Sequence, residues 1–88
     1  MDAIGLIEIQ SLVAAIEALD QMCKTSGVKL VHIERRLGGR MVSLVVEGDV
    51  SSVTCALERG KEAAQRLGKV KGCEVIARPH EEIQKFLK

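Results

Sequence analysis

Two kinds of hydrophobic periodicity alternate along this chain, and their order limits the folds open to it. Four segments have the alternation or β-branched composition of strands, and two have apolar residues spaced three and four apart, as in amphipathic helices. The strand segments are 2–9, 28–35, 41–47 and 73–77, and the helical segments lie between residues 11 and 27 and between residues 49 and 68. Residues 81–88 predict a short C-terminal helix. This order predicts an α+β, ferredoxin-like βαββαβ domain with two helices on one face of an antiparallel sheet.

Residue types at the helix ends support these boundaries. Ser11 and Asp49 are of the kind that accepts hydrogen bonds from the first turn of a helix, so each is predicted to be an N-cap. Gly27 and Gly68 are predicted to end the helices, because glycine readily adopts the left-handed conformation common just after a helix. Residues 69–72 are predicted to form the turn before the last strand.

The second strand segment alternates strictly, which predicts the side of the sheet on which each residue lies. One face is expected to hold Val28, Leu30, His32 and Glu34, and the other Lys29, Val31, Ile33 and Arg35.

The composition restricts the possible functions. The 88 residues are expected to form one domain, 1–88, with an aliphatic core, because Phe86 is the only aromatic residue. A small core of this kind favours self-association. A formal net charge of +1 and the lack of aromatic stacking residues argue against a nucleic-acid partner. No apolar run is long enough to cross a membrane, and residues 1–3 lack a basic signal segment, so a cytoplasmic protein without a membrane partner is expected.

The three cysteines, at positions 23, 55 and 73, are far apart in sequence and form no CxxC pair. This spacing suggests neither a disulfide framework nor a metal site. We interpret the cysteines as small buried hydrophobic side chains.

A basic stretch containing two glycines lies between the second and third predicted strands. It reads Glu-Arg-Arg-Leu-Gly-Gly-Arg, residues 34–40, and is short enough to form a hairpin loop. The glycines allow positive φ and leave their amides unshielded, while the arginines supply fixed positive charge. These features suit contact with an anion. The alternative interpretation is a hairpin turn with solvated arginines.

Four stretches, taken in their joint order and spacing, carry a family resemblance. They are residues 4–8, 14–24, 45–50 and 75–80. In this respect the chain resembles the bacterial microcompartment shell proteins of the single-domain, hexamer-forming type. The resemblance implies a flat cyclic hexamer that meets its neighbours in a layer and so forms the facets of a shell around enzymes. The implied partners are further copies of the chain, other shell proteins, the enclosed enzymes and metabolites that cross the shell. It implies no catalytic residue, cofactor or metal.

The resemblance also implies roles for residues at the edge of the hexamer. The family's edge lysine falls on Lys24 and its edge arginine on Arg78, with His80 beside it. A lysine at a helix end and an arginine before a rigid proline are both able to donate several hydrogen bonds to carbonyls of a neighbour. Ordinary solvated bases are the alternative.

The family's pore loop reads Lys-Ile-Gly-Ser-Gly and lies at the sixfold axis. Matched from the Gly48 side, the equivalent positions are Arg36, Leu37, Gly38, Gly39 and Arg40. Matched from the Lys24 side, the loop begins at Arg35, so this chain has one extra residue between Gly27 and Gly48. The usual serine is a glycine and the last glycine is an arginine. We expect a pore lined by the loop amides and arginines that favours anionic metabolites, unless Arg40 closes it.

Two other classes of function are alternatives to a shell protein. A ferredoxin-like regulatory protein would bind a small ligand, such as a nucleotide phosphate, in the glycine loop. That loop joins two strands and opens no helix, which counts against a phosphate cradle. An enzyme would use His32 or His80 as a base, or a cysteine as a nucleophile, but neither histidine has a carboxylate or thiol at a spacing that implies a dyad.

Overall fold

The computed structural model describes residues 2–25 and 27–87 of the chain. Over these residues the strands and helices follow in the predicted order. They are β1 (Ala3–Gln10), α1 (Leu12–Cys23), β2 (Val28–Arg36), β3 (Met41–Gly48), α2 (Val50–Gln65), β4 (Lys69–Ala77) and α3 (Glu81–Phe86). The predicted ferredoxin-like α+β fold is confirmed. The short C-terminal helix ends at Phe86, and Lys88, the last residue predicted for it, lies outside the described residues.

The strands form one antiparallel sheet in the order β2-β3-β1-β4, which makes β2 and β4 its edges. Alternate residues of β1 and β3 pack against α1 and α2 on one side, called the helix face below. The buried residues of this core are Ala3, Ile7, Ile9, Val42, Leu44 and Val46 from the strands and Ala14, Ala15, Ala18, Met22, Val53, Ala56, Leu57 and Ala64 from the helices. Because alanines supply much of the helical contribution, the helices approach the sheet and each other closely.

The opposite side of the sheet, called the outer face below, carries a smaller apolar cluster. Ile4 and Val45 are buried there beneath Leu87, the residue that follows α3. The C-terminal segment therefore covers part of the face that α1 and α2 leave open. Among the described residues, no helix is long and apolar enough to cross a membrane.

Both predicted N-caps are confirmed. The Ser11 hydroxyl accepts a hydrogen bond from Ala14 N at 3.1 Å, and the Asp49 carboxylate accepts one from Ser52 N at 2.9 Å. The backbone and hydroxyl hydrogen bonds from Ser52 hold the pKa of Asp49 below its usual value.

Both helices end a few residues before the predicted glycines. α1 ends at Cys23, with Lys24 as its C-cap, so Gly27 lies beyond the cap rather than in it. Gly27 does have a left-handed φ of 86°. α2 ends at Gln65, and Gly68 N closes the following turn by donating to Ala64 O at 2.9 Å.

The predicted turn at residues 69–72 is wrong, because these residues belong to β4. Gln10 pairs with Lys69 and Ile9 with Val70, so the last residues of β1 provide hydrogen-bonding partners for the start of β4. Gly72 lies opposite Glu8. A glycine at this position leaves room for the Glu8 carboxylate, whose Oε1 lies 3.3 Å from the place a Cβ would take.

The register of β2 against β3 shifts by one residue at Val31. Leu30 pairs with Val46 but His32 pairs with Val45, so Val31 is an extra residue, as in a β-bulge. The alternation of side chains changes at this point. The prediction that His32 and Glu34 share a face with Leu30 is therefore wrong.

The prediction of buried cysteines is also wrong for two of the three. Cys23 and Cys55 are exposed and Cys73 is half-buried. In the contact between the helices, α2 presents Gly60 and small neighbours to α1, and Met22 fills the space where a Gly60 side chain would lie. Other large apolar residues, such as Ile16 on α1 and Leu67 just after α2, remain about half exposed, at 51% and 54%.

Candidate pore loop and edge residues

The loop between β2 and β3 turns through three consecutive left-handed residues. Leu37, Gly38 and Gly39 have φ values of 54°, 67° and 89°. Arg36 before them is extended, and Arg40 after them returns to the right-handed region. Glycine adopts positive φ without strain, whereas Leu37 does so at a cost, and such residues cluster at functional sites. The loop thus holds a defined shape at the position predicted for the pore.

Contacts within and below the loop fix this shape. Both the backbone N and the Nε of Arg40 donate to the carbonyl of Leu37, at 3.3 and 3.1 Å. Gly39 packs over Leu12 at the start of α1, with 3.5 Å between the Leu12 Cβ and the place a Gly39 Cβ would take. Around Gly38 there is open space, and the Leu37 side chain is 68% exposed.

The first loop arginine is paired within its own strand. Arg36 Nε donates to Glu34 Oε2 at 2.8 Å, and the two side chains also form an ion pair. They lie two residues apart on β2, so both are on the same face of the sheet. The pair is exposed, and its contribution to stability is small, but it offsets one positive charge near the loop.

The predicted edge lysine is exposed at the end of α1. Lys24 Nζ lies 2.8 Å from Asp20 Oδ2, one helical turn earlier. The hydrogen bond and charge of Asp20 raise the pKa of Lys24. The ammonium is thus held in place and retains donors for a further contact.

The other two predicted edge residues lie where β4 ends. Arg78 has a left-handed φ of 47°, is exposed, and donates its backbone N–H to Asp2 O at 2.6 Å. Pro79 is buried, and its carbonyl accepts from Gln84 Nε2 at 3.0 Å. His80 is the N-cap of α3, with Nδ1 accepting from Glu82 N at 3.1 Å. A fixed proline and a capped helix therefore flank the exposed arginine.

Strand register places the loop at one end of the sheet. Arg36 pairs with Met41 at the tip of the β2–β3 hairpin, and the neighbouring pair of Ile9 with Val42 marks the end of β1.

The predicted edge residues lie at the other end of the sheet. Ala3 pairs with both Gly48 and Ala77, and Arg78 directly follows Ala77. Lys24 belongs to the same end, because it lies in the connection that leads to Val28, the first residue of β2. The eight residues of β1 separate the two ends by about 25 Å. The predicted pore residues are thus contiguous at one end of the sheet. The predicted edge residues lie at the other end, Lys24 before β2 and Arg78 and His80 after β4, the two edge strands.

Two features near the loop were missed by sequence reasoning. The pairing of Glu34 with Arg36 could have been expected, because a spacing of two on a strand places opposite charges on one face. The face occupied by Arg35 could not, because it depends on the register shift at Val31. The one extra residue counted between Gly27 and Gly48 was the only signal of such an irregularity.

The described residues give little support to a catalytic or metal centre. Among residues 2–25 and 27–87, no group of three or more His, Cys, Asp or Glu side chains is placed to hold a metal ion. Burial raises the pKa of the Cys73 thiol, which disfavours the nucleophilic thiolate. The features that stand out are an ordered basic loop at one end of the sheet and exposed bases at the other.

Fold and surface together define a small ferredoxin-like α+β domain with candidate contact sites at both ends of its sheet. The family model described as "BMC domain" matches residues 3–79 of this chain. The chain belongs to the BMC domain family.

Individual relatives agree with this assignment. The bacterial microcompartment shell protein PduA of Citrobacter freundii is 43% identical over 86 residues, which is 98% of this chain and 91% of that protein. The carboxysome shell protein CcmK2 of Synechocystis sp. is 41% identical over 97% of this chain and 84% of that protein. A crystal structure of a microcompartment protein from Desulfitobacterium hafniense DCB superposes with a TM-score of 0.88 at 32% sequence identity. The matched region is 97% of this chain and 48% of the Desulfitobacterium chain.

These comparisons confirm the predicted resemblance to microcompartment shell proteins and the predicted location in such a shell. The relatives are structural shell proteins and not enzymes, as predicted for this chain. They do not favour the alternative of a regulatory ligand-binding protein.

Proposed function

We propose that this shell protein forms cyclic hexamers that tile side by side into facets, with the loop 36–40 of each subunit around a central pore. Lys24, Arg78 and His80 then contact neighbouring hexamers. The observation that carries the proposal is the separation of these two sets at opposite ends of the sheet. A subunit that reaches from a central axis to an outer edge needs this arrangement.

The surface of the single chain supports assembly with further copies. Val13 and Ile16 on α1 are 68% and 51% exposed, and β2 and β4 are free edges of the sheet in the described part of the chain. Exposed apolar side chains and unpaired strand edges are typical of surfaces that become buried in an oligomer.

The charge of the loop supports anionic metabolites as the class that crosses. Each subunit contributes Arg36 and Arg40 and the exposed amides near Gly38, and a ring repeats these groups around one axis. A ring of like charge concentrates ions of the opposite sign at a constriction. Small carboxylates or phosphates are then favoured over amines of equal size. The other proposed partners are other shell proteins and the enclosed enzymes.

Native mass spectrometry together with electron microscopy of purified protein tests the assembly. We expect a hexameric mass and hexagonally packed layers. A monomer or a trimer at micromolar concentration would contradict the proposal. Hexamers that never form layers, alone or with another shell protein, would support the cyclic hexamer and contradict the tiling into facets.

A further inference from the structure

We infer that Arg35, which lies outside the loop matched to the family, steers anions into the pore from the helix face, and that the mouth on the outer face attracts them less. The inference rests on the proposed pore and adds a direction to it. It follows from which side of the sheet each charge near the loop occupies and from which charges are already paired.

Arg35 and Arg36 lie on opposite faces of the sheet, because side chains alternate along a strand. Arg35 pairs with Val42, a buried residue of the core between sheet and helices, so Arg35 lies on the helix face. Glu34 and Arg36 pair with Ser43 and Met41, on the outer face. Directly opposed residues of an antiparallel pair have their side chains on the same side.

The three arginines near the loop also differ in their partners. Arg36 is paired with Glu34, and the Nε of Arg40 is bonded to the carbonyl of Leu37. Arg35 is exposed and takes part in none of the ion pairs or side-chain hydrogen bonds formed among residues 2–25 and 27–87. Its guanidinium therefore has all its donors free for an anion.

On the outer face beside the loop, negative charge from a carboxylate offsets the positive charge of Arg36. Ser43 lies between Glu34 on β2 and Glu8 on β1, so two carboxylates accompany Arg36 on this face. Glu8 on β1 and Lys69 on β4 are two and three strands from β2, about 10 and 14 Å away, and both distances exceed the screening length in physiological salt. Glu34 therefore offsets the charge of Arg36, and the local charge of this mouth is close to neutral.

In the described part of the chain, Arg35 on the helix face has no such offset. A shallow depression of about 340 Å³ beside it is lined by Leu12, Arg35, Arg36, Leu37, Gly38 and Gly39. The first acidic residue of α1 is Glu17, more than a turn beyond Leu12, and it shares a depression with Arg66, the C-cap of α2. In a ring, one free guanidinium per subunit would surround this mouth, and its planar donors match carboxylate or phosphate oxygens.

Single-channel recording of hexamers in planar bilayers tests the direction. A charged ring at one mouth makes the current through a pore depend on the sign of the voltage, so the wild type should rectify in symmetric low-salt KCl. Arg35→Gln should abolish rectification and lower the preference for chloride over potassium by about tenfold. Arg35→Lys should behave as the wild type.

Arg36→Gln should preserve or increase rectification, because it frees the Glu34 carboxylate at the other mouth. Arg59→Gln, on the exposed side of α2, is the control for lost charge and should have no effect.

Several outcomes would overturn the inference. These are symmetric conductance in wild-type hexamers, rectification that survives Arg35→Gln, loss of rectification in Arg35→Lys, and loss of rectification only in Arg36→Gln. An absence of hexamers or of any conductance in the wild type would instead refute the pore itself, so the two failures are distinguishable.

A second measurement uses the wild-type protein alone. Phenylglyoxal modifies accessible guanidinium groups, and peptide mass spectrometry locates the modified residues. Arg35 should react faster than Arg36, and citrate should protect Arg35 more than it protects Arg59. Equal protection of these two residues would contradict an anion site at Arg35.

Discussion

The carbonyl of Leu37 accepts two hydrogen bonds from Arg40, one from the backbone N at 3.3 Å and one from the side-chain Nε at 3.1 Å. The side chain of Arg40 therefore folds back over the turn that its own backbone closes. This contact uses the Nε and leaves the charge of the guanidinium in place, so the shape and the charge of the loop depend on one residue in separable ways.

Arg40→Ala and Arg40→Lys separate these two contributions. We expect Arg40→Ala to lower the preference for a small carboxylate over an amine of equal size by about tenfold at low salt, because one charge is lost from every subunit. Arg40→Lys keeps the charge and loses the Nε hydrogen bond, so it should retain most of the preference. Solute flux through assembled hexamers measures both. Equal flux of the two solutes in all three proteins would exclude charge selection, and a rise for both solutes in Arg40→Ala would show that Arg40 closes the pore.

The fold was predictable because each local signal agreed with the overall order. Ser11 and Asp49 cap helices whose periodicity was plain, and the loop of residues 36–40 is where the hairpin required it. Sequence patterns failed where a neighbouring strand decided the outcome. The composition of residues 69–72 predicts a turn, but these residues form a strand because β1 pairs with them.

The charges around the candidate site were less predictable than the site itself. The side of the sheet that Arg35 occupies depends on the register shift at Val31, which no local preference reveals. Cys23 and Cys55 are exposed because alanines and Gly60, rather than the larger residues of the helices, form the contact between α1 and α2. Contacts with neighbouring copies lie beyond the single chain, so the roles of Lys24, Arg78 and His80 remain proposals.

Asp49 should make the stability of the domain depend on pH. Its pKa is held below the usual 3.8 by the hydrogen bonds from Ser52. A carboxyl group whose pKa is lower in the folded state stabilises that state fully above its unfolded pKa, and this contribution is lost as the pH falls through the folded pKa. Asp49→Ala should therefore lower the urea midpoint at pH 7, and the gap from the wild type should narrow towards about pH 2.

Asp49→Asn is the matched control for this effect, because asparagine caps a helix without a titrating group. It should keep most of the stability at pH 7 and show a weaker loss in acid than the wild type. If Asp49→Ala were as stable as the wild type at pH 7, the cap would contribute nothing measurable.

Gly5 is expected to be intolerant of a side chain. A Cβ at this position would lie 2.8 Å from Val53 Cγ1 and 2.9 Å from Leu57 Cγ, both on α2 and both buried. Gly5→Ala should therefore lower the free energy of unfolding by about 1–3 kcal/mol through overpacking. Gly72→Ala is the control on the neighbouring strand, where a Cβ would meet the flexible Glu8 carboxylate at 3.3 Å instead of a buried side chain. Similar urea midpoints for both variants would show that α2 moves away from β1 at little cost.

The edge assignment predicts a loss of layers without a loss of hexamers. Lys24→Asp removes the ammonium held by Asp20 and places a second carboxylate beside it, and Arg78→Ala removes the guanidinium before the buried Pro79. Both side chains are exposed in the single chain, so neither change should unfold it.

Native mass spectrometry should still show the hexamer, while electron microscopy should show no extended sheets. Arg59→Asp, an equal charge reversal on the exposed side of α2, should form sheets as the wild type does. Normal sheets from Lys24→Asp, or their equal loss in Arg59→Asp, would show that Lys24 has no particular role at the edge.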